Sequence, residues 1–337
     1  MAGKKSERLR VLILGAGAMA RKHAAAYREL ENVEIVAVAN RGALRAAALA
    51  DEFAIPECHQ DYRFAVANVE ADIVSICVPT VLHSELAVAA MHAGMHVVTE
   101  KPIALTLEAA RRMIDVSGET NRKLTVVFNR RFNSVWEELR RRLDSIGEPM
   151  MYNVQEIRSV RPKPAMHSRS ANGGPVIDCC VHDFDMLLQL FGRPVALFAT
   201  GLVFGSGKPQ LDAVEDPAID TAHVTVEFEA GHRACLLYAW GFPAGPAYWQ
   251  HREFMGPDGI IRLMGEFGER VDHYRGDGRL ETVHGLAEDG HHRIIRSFVE
   301  AIVNNGNPPV TAQEGLAALE LSIAALASIE QKRRIEL

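Results

Sequence analysis

The sequence predicts a two-domain α/β protein. A doubly wound parallel sheet is expected over residues 1–125, and an α+β domain with a mainly antiparallel open sheet over 126–310. A C-terminal helix within 311–337 is expected to pack back on the first domain. From residue 10 to about 125, short apolar strands alternate with helical stretches, the pattern of a parallel sheet covered on both faces. After residue 150, strand-like segments follow one another across Gly-rich turns. The stretch Pro79–Pro102 (PTVLHSELAVAAMHAGMHVVTEKP) joins a strand end, a helix, a second strand and a terminal Glu100-Lys101-Pro102. In an open parallel sheet, ligands sit outside the carboxyl ends of strands. That makes Lys101 a candidate for chemistry.

Arg10–Leu14 reads as a strand, 18–30 as a helix, Val33–Ala39 as a strand and 43–53 as a helix. Asp72–Val78 (DIVSICV) is apolar enough for a strand buried on both faces, and Pro79 stops it. A crossover helix over 84–93 ends at Gly94, and Met95–Thr99 returns as a strand. Thr106 is the expected N-cap of a helix that Gly118 ends after Ser117, and Lys123–Phe128 is a further strand. In the second domain, strands are expected at Met151–Arg158, Val195–Val203, Thr221–Glu229, His232–Trp240, His251–Gly256 and Gly259–Met264. One helix, 176–191, interrupts them. Thr311-Ala312-Gln313-Glu314 is a capping box, followed by Leu316, Leu319, Ile323 and Leu326 at helical spacing. There is no internal repeat or low-complexity tract.

The chain has 337 residues, 48% hydrophobic, which suffices for two cores. A net charge of −6 gives no general attraction to nucleic acid or to an anionic membrane. VLIL after the basic start is strand-length, not a signal sequence, and no run is expected to span a membrane. Five cysteines, odd in number and without CxxC pairing, point to reduced thiols in a cytoplasm.

Gly15-Ala16-Gly17-Ala18-Met19-Ala20 follows the first strand and opens a helix, a G-x-G-x-x-A form of the dinucleotide fingerprint. Its glycines allow close backbone approach to a pyrophosphate, and the helix N-terminus offers free N–H groups. The second strand ends at Asn40-Arg41. An acid there binds the ribose 2′-hydroxyl of NAD, whereas an Arg suits a 2′-phosphate. Asn40, Arg41 and Arg45 therefore favour NADP over NAD, with two solvated arginines as the alternative.

On a continuous helix, Asp178, His182, Asp185 and Gln189 fall on one face of an otherwise apolar segment. A carboxylate can fix the tautomer and orientation of a His for acid–base work; a hydrated i,i+4 pair is the structural alternative. No HExxH pattern or companion cluster argues for a metal, and none is expected. Vicinal Cys179-Cys180 reads as small-residue packing.

Together these residues resemble the glucose–fructose oxidoreductase / inositol dehydrogenase / MocA family over nearly the whole chain. The matching segments are GAGAMARKH with His23, Pro79 with His83, HVVTEKP and NRRF at Asn129–Phe132. GGPVIDCCVHDFDMLLQLFG and the closing VTAQEGLAALELSIAALASIEQKRR complete them. EKP followed about 80 residues later by D-x-x-x-H is the most specific part. The resemblance implies a Rossmann domain, a cis Lys101–Pro102 bond and hydride transfer between a nicotinamide and a polyol, sugar or related hydroxy/keto compound. It implies Lys101, Asp178 and His182 as the catalytic set: His182 moves the substrate hydroxyl proton, Lys101 bonds the same oxygen and Asp178 orients the pair. Cofactor contacts are implied for Gly15, Gly17, Ala18, Met19, Asn40, Arg41, Arg45, Val78, Pro79, Thr80, His83, Glu100 and Lys101. Substrate contacts are implied for Lys101, Arg131, His167, Asp178, His182 and Asp185, with Asp185 suited to a neighbouring sugar hydroxyl.

Three positions depart from the family. Val81 stands where Asn is frequent, Asn40 replaces the frequent acid, and RSVRPKPAMHSRSAN (158–172) is idiosyncratic. The basic groups of that last stretch (Arg158, Arg161, Lys163, His167, Arg169) suit either an acidic sugar or a solvated loop. The family also implies pairing through the second-domain sheet, as a homodimer or homotetramer. Two other functions use the same residues differently: a redox-neutral, NAD-dependent glycosidase or epimerase, and a non-catalytic nucleotide-binding sensor.

Overall fold

The computed structural model describes residues 8–161, 163–243, 249–264, 269–286 and 289–337. It divides into two compact units: residues up to Asn129 with Gly290–Leu316, and Arg130–Asp289 with Ala317–Leu337.

The first unit runs β1 (Leu9–Leu14), α1 (Ala18–Arg28), β2 (Val33–Ala39), α2 (Ala43–Phe53), β3 (Glu57–His59), α3 (Tyr62–Asn68) and β4 (Ile73–Ile76). It continues through α4 (His83–His92), β5 (His96–Glu100), α5 (Leu107–Thr120) and β6 (Leu124–Val127). The six strands are parallel, in the order β3-β2-β1-β4-β5-β6. Residues Val11–Leu14 and Ile73–Ile76 are fully buried, as strands covered on both faces must be. The order reverses direction at β1 and β4, so their carboxyl ends form the crevice where a doubly wound sheet binds ligands.

Two local expectations differ. The unit contains β3 and α3, which the sequence reading did not assign; Asp61 caps α3 by accepting from Phe64 N at 2.9 Å. Helix α5 does not stop at Gly118. It continues to Thr120 and ends on Asn121, which takes the left-handed conformation at φ +54°. Thr106 caps its start as expected, accepting from Ala109 N at 3.1 Å.

The second unit begins with α6 (Ser134–Leu143), also unassigned from sequence, and β7 (Met151–Ser159). The expected single helix 176–191 is two, α7 (Gly174–Asp178) and α8 (Cys180–Leu190), broken at Cys179. Then follow β8 (Pro194–Leu202), β9 (Thr221–Phe228), β10 (Arg233–Phe242), β11 (Trp249–Gly256), β12 (Gly259–Met264), β13 (Arg270–Arg275) and β14 (Leu280–His284). The chain returns to the first unit for α9 (Gly290–Val303) and the start of α10 (Ala312–Gln331); the rest of α10 and a short β15 (Ile335–Glu336) belong to the second. The nine-stranded sheet has the order β14-β13-β12-β11-β7-β10-β9-β8-β15. It is antiparallel except where β7 and β10 run parallel at its centre.

The capping box forms: Thr311 N donates to Glu314 at 2.8 Å and Glu314 N to Thr311 Oγ1 at 3.2 Å. Contrary to the sequence reading, α10 is long and apolar enough to cross a membrane by length and composition. Its Leu319, Leu321 and Ala325 are buried, and Ser328 Oγ accepts from Ala199 N at 2.9 Å. These contacts make it a packed helix of the core.

Candidate functional site

The nucleotide side is built on the ends of β1, β4 and β5. Gly15 sits at φ +105°, and a Cβ there would overlap the carbonyl oxygen of Cys77 at the end of the neighbouring strand. Gly17 is the N-cap of α1, and a Cβ on it would meet nothing within 4 Å. The first glycine is thus required by packing. The second leaves open space before the free N–H groups of Ala18 and Met19, which fits an incoming pyrophosphate. At the end of β2, Asn40 donates from Nδ2 to Gly42 O at 2.9 Å and so shapes the turn into α2. Arg41 and Arg45 are both exposed.

Val78 and Thr80 are buried around Pro79, and His83 lies beneath them. His83 is 1% exposed; its Nδ1 is 2.9 Å from Pro102 O and its Nε2 3.0 Å from Val78 O. Burial pushes its pKa down, only partly offset by those carbonyls. His83 therefore braces the two strand ends against each other, and any effect on a cofactor passes through the backbone it holds. The Lys101–Pro102 bond is cis, and Lys101 is half-buried.

Glu100 is likewise buried. His23 Nε2 is 3.1 Å from Glu100 Oε1 and His291 Nε2 is 3.6 Å from the same atom. Oε2 accepts from Lys101 N at 3.3 Å, and His23 Nδ1 meets Ser75 Oγ at 2.7 Å. Burial raises the Glu100 carboxyl, but the two histidines outweigh it and hold the pKa well below the usual carboxylate range. One ligand-type atom from each of His23, Glu100 and His291 lies within 4.8 Å of the others. Sequence reasoning anticipated no such cluster, because His291 stands far away in the chain. Here Glu100 serves as the common acceptor for both rings.

On α7 and α8 of the second unit, nearly every residue from Val176 to Leu187 is buried, and Asp178 and His182 are the half-exposed ones. Asp185 was expected beside them, facing a hydroxyl. Instead it is 1% exposed, and Arg131 donates to both its oxygens, from Nε at 3.1 and 2.9 Å and also from Nη2. Asp183, weighed from sequence only as a metal ligand and given no site role, anchors the helix. Arg130 Nη1 is 3.0 Å away, Arg252 Nε 3.2 Å, Tyr152 OH 2.6 Å, and Tyr238 OH also donates to it. Burial raises the Asp183 carboxyl, yet Arg252 and Arg130 outweigh it and drive the pKa far down. The only local signal for Asp183 is a charge on a helix otherwise made for burial. His167 is buried, at the end of a single 3-10 turn, Pro164–His167.

Two family models cover the chain. "Oxidoreductase family, NAD-binding Rossmann fold" matches residues 9–128, and "Oxidoreductase family, C-terminal alpha/beta domain" matches 140–337. The chain belongs to the Gfo/Idh/MocA oxidoreductase family. An inositol 2-dehydrogenase of Rhizobium meliloti is 30% identical over 96% of this chain and 98% of its own length. A D-glucoside 3-dehydrogenase of Escherichia coli is 29% identical, covering 98% of each chain. Among solved structures, a putative myo-inositol dehydrogenase from Sinorhizobium meliloti shares 28% identity and a TM-score of 0.77, over 97% of this chain and 99% of that one. This Gfo/Idh/MocA member is an enzyme, a nicotinamide-dependent oxidoreductase.

Proposed function

We propose that the protein transfers a hydride between NAD(P) and a ring or chain carbon of a polyol, sugar or related hydroxy/keto compound. The observation that carries the reading is selective exposure: Asp178 and His182 stay accessible while Asp183 and Asp185 beside them are consumed by arginines. The nicotinamide, when bound, accepts or supplies the hydride. His182 takes the hydroxyl proton during oxidation or returns it during reduction. Lys101 donates to the same oxygen and stabilises negative charge as it develops, and Asp178 orients His182.

Gly15, Gly17, Ala18 and Met19 line the pyrophosphate approach, with Val78, Pro79, Thr80 and the Glu100-Lys101 strand end forming the rest of the cofactor floor. We read Arg41 and Arg45 as a 2′-phosphate site, favouring NADP. Arg131 and Asp185 act as a pair that shapes the substrate side. The curated relatives named for inositol and glucoside support the substrate class. The five cysteines are unpaired, which suits a cytoplasmic setting. The open face of the nine-stranded sheet, with Phe198, Trp249 and Tyr274 exposed, suits self-association.

A turnover screen of polyols and sugars with NAD and NADP separately tests this reading. Net change in nicotinamide absorbance with at least one of them supports it. Product formation without net change moves the enzyme to redox-neutral chemistry.

A further inference from the structure

We propose that Arg161, His167 and Trp240 form a carboxylate-binding subsite, so that the substrate is a sugar acid. This rests on the hydride-transfer reading above.

The backbone N–H of Arg161 donates to His167 Nε2 at 2.9 Å. That nitrogen is therefore the acceptor, and the ring proton is on Nδ1. Burial lowers the His167 pKa, with Arg161 and Lys208 adding to the effect against Asp220, so the ring is neutral. His167 is 2% exposed, and its Nδ1 has no partner among the described residues. Arg161 Nε and Trp240 Nε1 are also buried without partners among the described residues. The three groups are gathered: the Arg161 guanidinium carbon lies 5.7 Å from the Trp240 ring centre, and the His167 and Trp240 rings are 6.1 Å apart.

A buried donor left without an acceptor is destabilising, and native proteins rarely leave three together. All three atoms are donors, so the missing partner is an acceptor. A carboxylate brings two oxygens and about four lone-pair sites. A hydroxyl would bring a proton that needs its own acceptor. The nearby carboxylate of Asp220 already accepts from Phe204 N, Gly205 N and Thr221 Oγ1 at 2.8, 2.6 and 2.9 Å. A cavity of about 210 Å³ has His167, Lys208 and Asp220 in its wall.

The segment is held in place. Asp216 accepts from Ser168 Oγ and Ser170 N, both at 2.7 Å, and Ala218 N donates to His167 O at 2.8 Å. Those Ser168 and Ser170 bonds pull the Asp216 pKa down to about 2. Trp240 stands two residues after Tyr238 on β10, and Tyr238 OH bonds Asp183, the chain neighbour of His182. In the reaction, the carbinol carbon gives its hydride to the oxidised nicotinamide and its hydroxyl gives the proton to His182. A keto acid results, with the carboxylate unchanged.

The test is steady-state turnover on matched pairs, D-glucose with D-glucuronate and D-galactose with D-galacturonate. The acid should exceed its neutral partner in kcat/KM by about ten-fold or more, chiefly through KM. Trp240→Phe, which removes only the N–H, and Arg161→Leu should each collapse that ratio. Equal use of acid and neutral sugars, with the ratio unmoved by both variants, overturns the subsite and leaves the polyol reading standing. If none of the four sugars is turned over, calorimetric titration of D-glucuronate into the protein with NADH decides. One-to-one binding weakened about ten-fold by Trp240→Phe upholds the subsite without the reaction, and no binding overturns it.

Discussion

His23 and Glu100 meet directly beneath the residue on which the proposed chemistry depends. His23 Nε2 lies 3.1 Å from Glu100 Oε1, and the other carboxylate oxygen accepts from Lys101 N. Glu100 therefore fixes the backbone from which Lys101 projects. Because its folded pKa lies below the unfolded value of 4.5, its stabilisation is fully present above that value and is lost as pH falls through the folded pKa. Glu100→Gln should lose roughly 1.5–3 kcal/mol at neutral pH, and the gap to wild type should narrow in acid. Urea unfolding at the two pH values measures this; a gap independent of pH contradicts it.

Asp183 carries the analogous burden in the second unit. Asp183→Asn leaves Arg130 and Arg252 buried against a neutral partner, at a cost of about 3–5 kcal/mol. A thermal midpoint within about a degree of wild type would show that the arginines find compensation elsewhere.

The two glycines of the fingerprint should separate stability from binding. Gly15→Ala meets both the Cys77 carbonyl and a positive φ, so it should unfold or strongly destabilise the first unit. Gly17→Ala meets nothing in the protein, so its thermal midpoint should hold while dinucleotide affinity falls about ten-fold or more. Fluorescence titration with NADH and a melting curve on each variant check the contrast.

If Arg41 and Arg45 hold a 2′-phosphate, Arg41→Ala should raise KM for NADP about ten-fold while changing KM for NAD little. Equal effects on both cofactors would return these arginines to the solvated surface.

What was legible in the sequence follows a physical line. The parallel sheet, the glycine turn, the Thr106 cap and the Thr311–Glu314 box are set by neighbours along the chain, so spacing alone reveals them. Residues whose partners are distant were not legible. His291 meets Glu100 only in the fold, and Asp183 looks like any acid beside His182 until Tyr152, Tyr238 and Arg252 arrive from three strands. Asp185 fails the one-face argument for two reasons. The helix breaks at Cys179, whose φ of −104° departs from helical geometry, and Arg131 claims the side chain. The 158–172 stretch showed only its basic character. Ser168 to Ser170 within it are held by Asp216, which lies well beyond it in sequence.

Lys101 and His182 carry the central claim, and single-turnover hydride transfer in Lys101→Ala and His182→Ala tests it most directly. With a substrate found by the screen, both variants should bind cofactor within about two-fold of wild type and lose hydride transfer by about 10²-fold or more. Wild-type transfer rates in both variants would contradict the account.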